Sequence, residues 1–431
     1  MKLVINIIIS FFLFNFVTAE NNLNFFIDAA FKNNLRLNAE RKNQKSIKQN
    51  IHISRSEFLP SISLSGDQKS TQSSNRTNQS GSSLSDTNLD SESKTISVDQ
   101  KLFQGFKGYN SLKKSELEIK QANFKLKQVE QQTILDTVST YFDLIFKSKN
   151  ERFNLSNVNL FERQVESDSA RLQKGEITLT DLAQSESSLA GANANLIKAK
   201  TELLASKTNF ERVTLEKAPN TINLNEKINI ELPSTLQEAL KIAQLNNYDL
   251  LIAKLDYQIS KKDFNIEKSK FSPSASLNYS KSENKDFSST VDELDQETVK
   301  ATITWPIIKG GENISSIKKS SLKKQRSLLL SEDAKNKVVT ETTNVWSRYQ
   351  SSESVLKATE AQLKAAEIAN EGITLEYDSG NTRTTLEVIQ SRSLLLESRI
   401  AFAKAERDFM ISKIELAIQL GTLSVNSIKS L

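Results

Sequence analysis

Two stretches of the chain, LAQSESSLAGANANLIKAKTELLASKTNF (residues 182–210) and VIQSRSLLLESRIAFAKAERDFMISKIEL (residues 388–416), carry one pattern twice. Leu182, Leu189, Leu196, Leu203 and Phe210 recur every seven residues. The same column returns 206 positions later as Val388, Leu395, Phe402, Phe409 and Leu416, and continues to Leu423. Beside each runs a second apolar column, Ala183, Ala190, Ile197, Leu204 in the first stretch and Ile389, Leu396, Ala403, Met410, Ala417 in the second. A sustained heptad predicts long helices packed with a left-handed supercoil. Two apolar columns on one helix ask for a neighbour on each side.

Working outward, the duplication extends across the chain. Ala30, Asn33-Asn34, Leu37 and Phe58-Leu59-Pro60-Ser61 have counterparts 213 positions on, at Ala243, Asn246-Asn247, Leu250 and Phe271-Ser272-Pro273-Ser274. Gln104-Gly105, Thr140-Tyr141 and Gly175 match Lys309-Gly310, Val345-Trp346 and Gly380 at a separation of 205, so eight residues are lost between the equivalents of Pro60 and Gly105. A length change of that kind belongs in a loop. Repeats this much longer than solenoid units predict two pseudo-equivalent halves of one architecture. Tyr109–Lys174 and Glu312–Glu371 contain neither Gly nor Pro. If helical throughout, each spans on the order of 90 to 100 Å, far beyond an ordinary globular helix.

Composition narrows the class. A hydrophobic content of 37% over 431 residues, with Phe 21 and Trp 2, would make a thin core for a compact globule, so the expectation is an extended molecule. The 57 basic and 52 acidic residues are interspersed and sum to +5, which reads as solvated helix faces and excludes a nucleic-acid footprint. With no cysteine, disulfides, thiolate metal sites, a cysteine nucleophile and a lipidated cysteine are excluded. Lys2, the apolar run Leu3 to Phe16 and the small residues up to Ala19 predict a secretory signal peptide cleaved before Glu20. The run of about 14 residues is too short to span a bilayer, which takes roughly 20. The expected organisation is signal peptide 1–19, first repeat 20–218, linker 219–233, second repeat 234–423 and tail 424–431.

Each repeat also contains a pair of short alternating segments. Ile62 and Leu64 alternate with Ser61, Ser63 and Ser65, and Ile96 and Val98 with Thr95, Ser97 and Asp99. Ala275, Leu277 and Tyr279 alternate with Ser274, Ser276 and Asn278, and Val299, Ala301, Ile303 and Trp305 with Lys300, Thr302 and Thr304. Period two means strands with one apolar and one polar face. In an exported protein this fits a membrane β-barrel, with Tyr279 and Trp305 available for an interfacial aromatic girdle. The polar segments Gly66–Ser93 and Lys281–Glu297 are expected to be long external loops.

The order of these marks resembles the TolC-type outer-membrane efflux family (outer membrane factors) across the whole mature chain. The marks are Asn34-Leu35-Arg36-Leu37 and Asn247-Tyr248-Asp249-Leu250, the Phe-x-Pro-Ser strand openings, Leu102-Phe103-Gln104-Gly105-Phe106 and Ile307-Ile308-Lys309-Gly310-Gly311, Lys174-Gly175 with Asp181, Tyr377-Asp378-Ser379-Gly380 with Glu387, and Leu420-Gly421-Thr422-Leu423. The resemblance implies a mainly α fold with a membrane β-barrel: a homotrimer sharing one 12-stranded barrel continuous with a long helical barrel. It implies a place in the outer membrane, in contact with its lipid and extending into the periplasm. It also implies work as an efflux or type I secretion conduit with a periplasmic adaptor (membrane fusion) protein and an inner-membrane RND or ABC transporter. No catalysis and no cofactor are implied. A trimeric coiled-coil structural or adhesive surface protein would also use the heptads, but no compact head-sized segment is present. A periplasmic adaptor would share only the helical hairpins.

Candidate site residues follow from the same resemblance. An acid on one hairpin tip and a Tyr and Arg on the other close the tunnel mouth in such proteins, and Asp181, Tyr377 and Arg383 match those positions beside the tip glycines Gly175 and Gly380. Arg383 aligns when Asn381 is treated as an insertion. Glu387 matches the first of two acidic rings, and Gln390 occupies the place of the second. His52, the only histidine, has no companion at metal spacing and reads as helix surface. No metal box, phosphate loop or catalytic set is visible.

Overall fold

The computed structural model describes residues 23–219, 222–224, 226, 228–288, 290–379 and 383–429. The predicted signal peptide and Gly380 lie outside these. In chain order the elements are α1 (Leu23–Asn33), α2 (Leu35–Ser56), β1 (Ser61–Ser73), a short ribbon β2 (Arg76–Thr77) and β3 (Ser83–Leu84), β4 (Thr87–Gln104), α3 (Lys107–Gln173) and α4 (Leu179–Thr214). The second repeat follows with α5 (Leu236–Asn246), α6 (Tyr248–Lys268), a 3-10 turn at Ser269–Phe271, β5 (Ser274–Ser288), β6 (Val291–Thr304), α7 (Glu312–Asp378), α8 (Thr385–Gln419) and α9 (Val425–Lys429). The chain divides into two compact units: residues up to 35, 130–236 and 343 onward form one, and 36–129 with 237–342 the other. Each unit draws on both repeats, so compact units and sequence repeats cut the chain along different lines.

The second unit holds the sheet. Its strands run in the order β1-β4-β5-β6, every neighbour antiparallel. Register places Ile62 opposite Val98, Leu64 opposite Ile96, Val98 opposite Tyr279, Tyr279 opposite Val299 and Leu277 opposite Ala301. Ile62, Leu64, Ile96, Val98, Leu277, Tyr279, Val299, Ala301 and Ile303 therefore share one face, and that face is open: Ile303 is 78% and Leu64 77% exposed. The other face is a polar ladder, with Ser63 and Ser97 hydroxyls 2.8 Å apart and Asn278 Nδ2 donating to Asp99 Oδ1 at 2.7 Å. From Thr87 to Ser97 of β4 the polar-face residues are the better covered ones, as on the inside of a curved sheet.

The expected long loops are a correction. Most of Gly66–Ser93 and Lys281–Glu297 continues the strands: β1 runs to Ser73, β4 starts at Thr87, and β5 and β6 are separated by two residues only. Ladder pairing satisfies the backbone of these polar residues, so they need no core of their own. The extra length of the first repeat is carried at its hairpin tip by the β2–β3 ribbon. Beyond Tyr279 the formerly apolar face becomes charged, with Lys281 opposite Glu297 and Lys285 opposite Glu293.

Gly105 shows why a glycine closes the first strand pair. Its φ is +59°, and a Cβ there would run into Ser272 and lie 2.9 Å from the carbonyl oxygen of Ser269. Upstream, Asn247 caps α6 by accepting from the Leu250 amide at 3.2 Å. His52 is exposed on α2.

The first unit holds the core. Leu23, Phe26, Ile27 and Ala30 of α1 are buried at helical spacing. Phe26 packs edge-on against Phe210 of α4 with ring centroids 4.8 Å apart, and 5.9 Å from Tyr141 of α3. Ile134, Val138 and Leu144 of α3 and Ile414 and Ala417 of α8 join the cluster, and Ile428 of α9 closes it. Each fully buried large side chain contributes about 1.5–3 kcal/mol. A second cluster joins Val158 and Phe161 of α3 to Ala192 and Leu196 of α4, with Ile389 of α8 against it.

The heptad columns divide unequally between α4 and α8. In α4 the first column is covered at Leu196 and Phe210, while the second stays open, Ile197 at 67% and Leu204 at 66%. In α8 both are covered, at Val388, Leu395 and Leu416 and at Ala403, Met410 and Ala417. Phe402, expected to match Leu196, is only half-buried, lining a groove with Phe153, Leu363 and Ala403. The deepest column in both helices is a third one of small residues: Ser185, Ala192, Ala199, Ser206 in α4 and Ser391, Ser398, Ala405, Ser412 in α8. Small side chains let the two helices of a hairpin approach closely. Four of their hydroxyls then reach the facing helix, Ser185 to Asp168, Ser206 to Asp143, Ser391 to Asn370 and Ser412 to Ser352.

Candidate functional site

The two hairpin tips, α3 to α4 and α7 to α8, are built by matching local rules. Gly175, at φ +75°, ends α3: its amide donates to the Leu172 carbonyl and that of Glu176 to Arg171, both at 2.9 Å. Helix α4 then starts on a capping box. Thr178 Oγ1 accepts from the Asp181 amide at 3.3 Å, and Asp181 Oδ2 accepts from the Thr178 amide at 2.9 Å and its hydroxyl at 2.7 Å. Helix α8 repeats the box 206 positions later, Glu387 Oε2 accepting from the Thr384 amide at 2.8 Å and its hydroxyl at 3.1 Å.

These caps set the electrostatics. The Thr178 amide, then its hydroxyl, hold the Asp181 carboxyl below its ordinary value. Glu387 is lowered likewise, by the Thr384 amide first and by the Arg383 guanidinium. Both carboxylates therefore hold their charge to a lower pH than a free side chain does, and the contribution of each cap is lost as pH falls through its lowered value. Arg383 sits between two acids, Nε 2.6 Å from Glu376 and Nη1 3.0 Å from Glu387, and these partners raise its pKa further.

Tyr377 stands apart from that group. It is 5% exposed, its hydroxyl donating to Asp168 Oδ1 at 2.9 Å, with Thr385 Oγ1 at 3.1 Å and Gln164 Nε2 donating to it at 3.4 Å. Burial pushes its phenol upward. The Arg171 guanidinium lies over the ring, 4.6 Å from its centroid. The structure thus brings Arg383 and Glu387 together, keeps Asp181 in its cap, and gives Tyr377 a partner, Asp168, that motif reasoning missed. Nothing marks Asp168 within its polar run. The available clue was Ser185, whose place in a small-residue column seven apart marks it as seam-facing. Gln390 is exposed beyond the Glu387 cap.

Paired helical hairpins, each following a strand pair with an open apolar face, form an architecture that solved outer-membrane channels also have. The fold is shared with the Campylobacter jejuni CmeC outer membrane channel, at a TM-score of 0.81 and 16% identity over 95% of this chain and 90% of that one. In sequence the chain is 24% identical to the outer membrane efflux protein BepC of Brucella suis over 401 residues, 93% of this chain and 85% of the relative. It is 24% identical to the outer membrane protein TolC of Vibrio cholerae over 381 residues, 87% and 84% of the two. The outer membrane efflux protein model matches residues 26–214 and 239–422, and the chain belongs to that family. It is accordingly an outer-membrane protein of a transport family, not an enzyme family.

Proposed function

We propose that three copies of this chain form one channel-tunnel that carries small molecules or proteins through the periplasm and outer membrane, working with a periplasmic adaptor and an inner-membrane RND or ABC pump. One observation carries this reading: a four-stranded sheet with an open apolar face, whose edge strands β1 and β6 each have one neighbour only among the described residues. In lipid an unpaired strand edge costs several kcal/mol per backbone group, and closure of twelve strands, four from each of three copies, removes every edge. The open column Ile197 and Leu204 of α4 supports the same need for a neighbouring copy. Tyr279, where the outward face turns from apolar to charged, and Trp305, whose Nε1 donates to the Phe271 carbonyl at 3.1 Å, suit the barrel's aromatic girdle.

Because the chain lacks cysteine, a pair of cysteines introduced into each chain, one in β1 and one in β6, reports on closure directly. Oxidation of detergent-extracted protein should join β1 of one copy to β6 of the next and yield covalent trimers. Monomers alone at every position along both strands would end the reading.

Asp181, Tyr377, Arg383 and Glu387, with the tip glycines Gly175 and Gly380, are proposed as the periplasmic mouth. Exposed pairs such as Arg383 with Glu376 and Glu387 are individually weak and screened by solvent, and in threefold repetition they bias a two-state opening that an adaptor overrides. Tyr377→Phe combined with Arg383→Ser should raise single-channel conductance in planar bilayers several-fold over the parent, and Glu387→Ala should shift selectivity away from cations. Unchanged conductance in intact trimers would place closure elsewhere.

A further inference from the structure

The tip contacts of Asp181, Arg383 and Glu387 described above all stay inside their own hairpins. Asp181 holds Thr178 at the start of α4, and Arg383 holds Glu376 and Glu387 across the α7–α8 turn. Among the described residues near the tips, the polar contacts that cross from one hairpin to the other are those of Tyr377 with Asp168 and Gln164, and a 3.4 Å bond from Arg392 Nη1 to the Leu160 carbonyl. Of the residues in these contacts, Asp168 is the most deeply buried, at 0% exposure. Both its oxygens are used: Oδ2 accepts from Ser185 at 2.5 Å, Oδ1 from Tyr377 and from Gln164, each at 2.9 Å. The charged groups facing this node are Arg171, stacked on the Tyr377 ring, and Arg392, whose guanidinium burial lowers while Asp378 and Asp168 hold it up. A phenol donating to a carboxylate away from water is a charge-assisted bond, stronger than a neutral one and little screened by salt.

We infer that Asp168 is the clasp between the two hairpins of a protomer. It draws Tyr377 inward from α7 and ties it, through Ser185, to the seam of the α3–α4 hairpin. Tyr377 acts in closure through this buried bond, and the exposed Arg383 group adds a weaker contribution within the second tip that salt screens. Asp168 is a positioning residue: releasing it frees the α7–α8 hairpin to swing. The consequence for transport rests on the reading of the tips as the tunnel mouth.

The test separates the clasp from that reading. Spin labels at Lys174 and Ser379, both exposed at the two tips, are placed in a labelled chain diluted with unlabelled copies, and the distance between them is measured in the parent, Asp168→Asn, Tyr377→Phe and the double variant. Asp168→Asn keeps size and shape but removes the charge and replaces one acceptor oxygen with an amide donor, so in either amide orientation Tyr377 loses its charge-assisted bond. The expected result is a longer, broader distance in each single variant and no further change in the double, since one bond is lost either way. Conductance should rise several-fold in Asp168→Asn and stay raised in 1 M salt, whereas the gain from Arg383→Ser should shrink there because salt already screens that group in the parent. A parent-like distance in folded Asp168→Asn overturns the clasp, as does a double variant showing the sum of the single effects. A broadened distance with unchanged conductance overturns the link between clasp and mouth, while β1–β6 cross-linking still judges the trimer on its own.

Discussion

Leu196→Asp should remove nearly all correctly assembled protein. Leu196 is 8% exposed and packs among Val158, Phe161, Ala192 and Ile389. Burying an unpaired charge there costs about several kcal/mol, comparable to a marginal protein's whole stability. Phe402→Asp is the informative companion. The two positions occupy one column of the repeat, and symmetry alone would give them equal effects. Phe402 is half-buried in an open groove that also holds Arg152 and the Arg399–Glu367 and Lys149–Glu406 ion pairs, so a carboxylate there keeps water and polar neighbours. Its expected cost is about 1 kcal/mol, the usual scale for a single substitution. Membrane yield and thermal unfolding of the two variants decide the matter, and equal losses would show that the repeats are packed alike after all.

The difference between those positions marks where sequence reasoning reached its limit. Heptad spacing, breaker glycines and period-two strands depend on local geometry, and they located α3, α4, α7 and α8 to within a few residues. Gly372 is the exception: it sits inside α7, where packing of so long a helix overrides a cost of about 1 kcal/mol for glycine. Rotation of a helix about its own axis is a tertiary property, and two apolar columns beside a third of Ser and Ala are compatible with more than one setting. Counting large apolar residues singled out the Phe402 column. The small-residue column won because close approach of two helix backbones gains more contact than a protruding ring. Strand length was hidden for a related reason, since residues such as Gln68, Ser70 and Glu283 need only ladder partners and carry no hydrophobic signal.

The candidate site was legible as a place and not as a set of partners. Gly175 with Asp181 and Gly380 with Glu387 located the tips in the sequence, while Thr178 and Thr384, which complete the capping boxes, emerged only in the structure. What Tyr377 bonds could not be read, because Asp168 lies 209 positions away on another helix and belongs to no motif. Its role arises only when Ser185 and Tyr377 are packed against it from two hairpins.

Leu277→Arg and Ser276→Lys, adjacent in β5, should give opposite outcomes. Leu277 faces the open apolar side of the sheet between Gln100 of β4 and Ala301 of β6, while Ser276 lies opposite Thr302 on the polar ladder side. If the apolar face meets lipid, arginine at Leu277 places a charge near the middle of the hydrocarbon layer, at about 2–4 kcal/mol per copy. Three copies multiply that into a severe loss of trimer in the outer membrane. Lysine at Ser276 would instead point into the water-filled lumen, leaving assembly intact and shifting ion selectivity toward anions. Outer-membrane trimer yield and bilayer selectivity measure the two effects independently. A harmless Leu277→Arg beside a disruptive Ser276→Lys would mean that the sheet closes with its faces reversed. Indifference to both would mean that the exposed apolar residues meet water, and the strand pairs would then be a soluble sheet instead of part of a barrel.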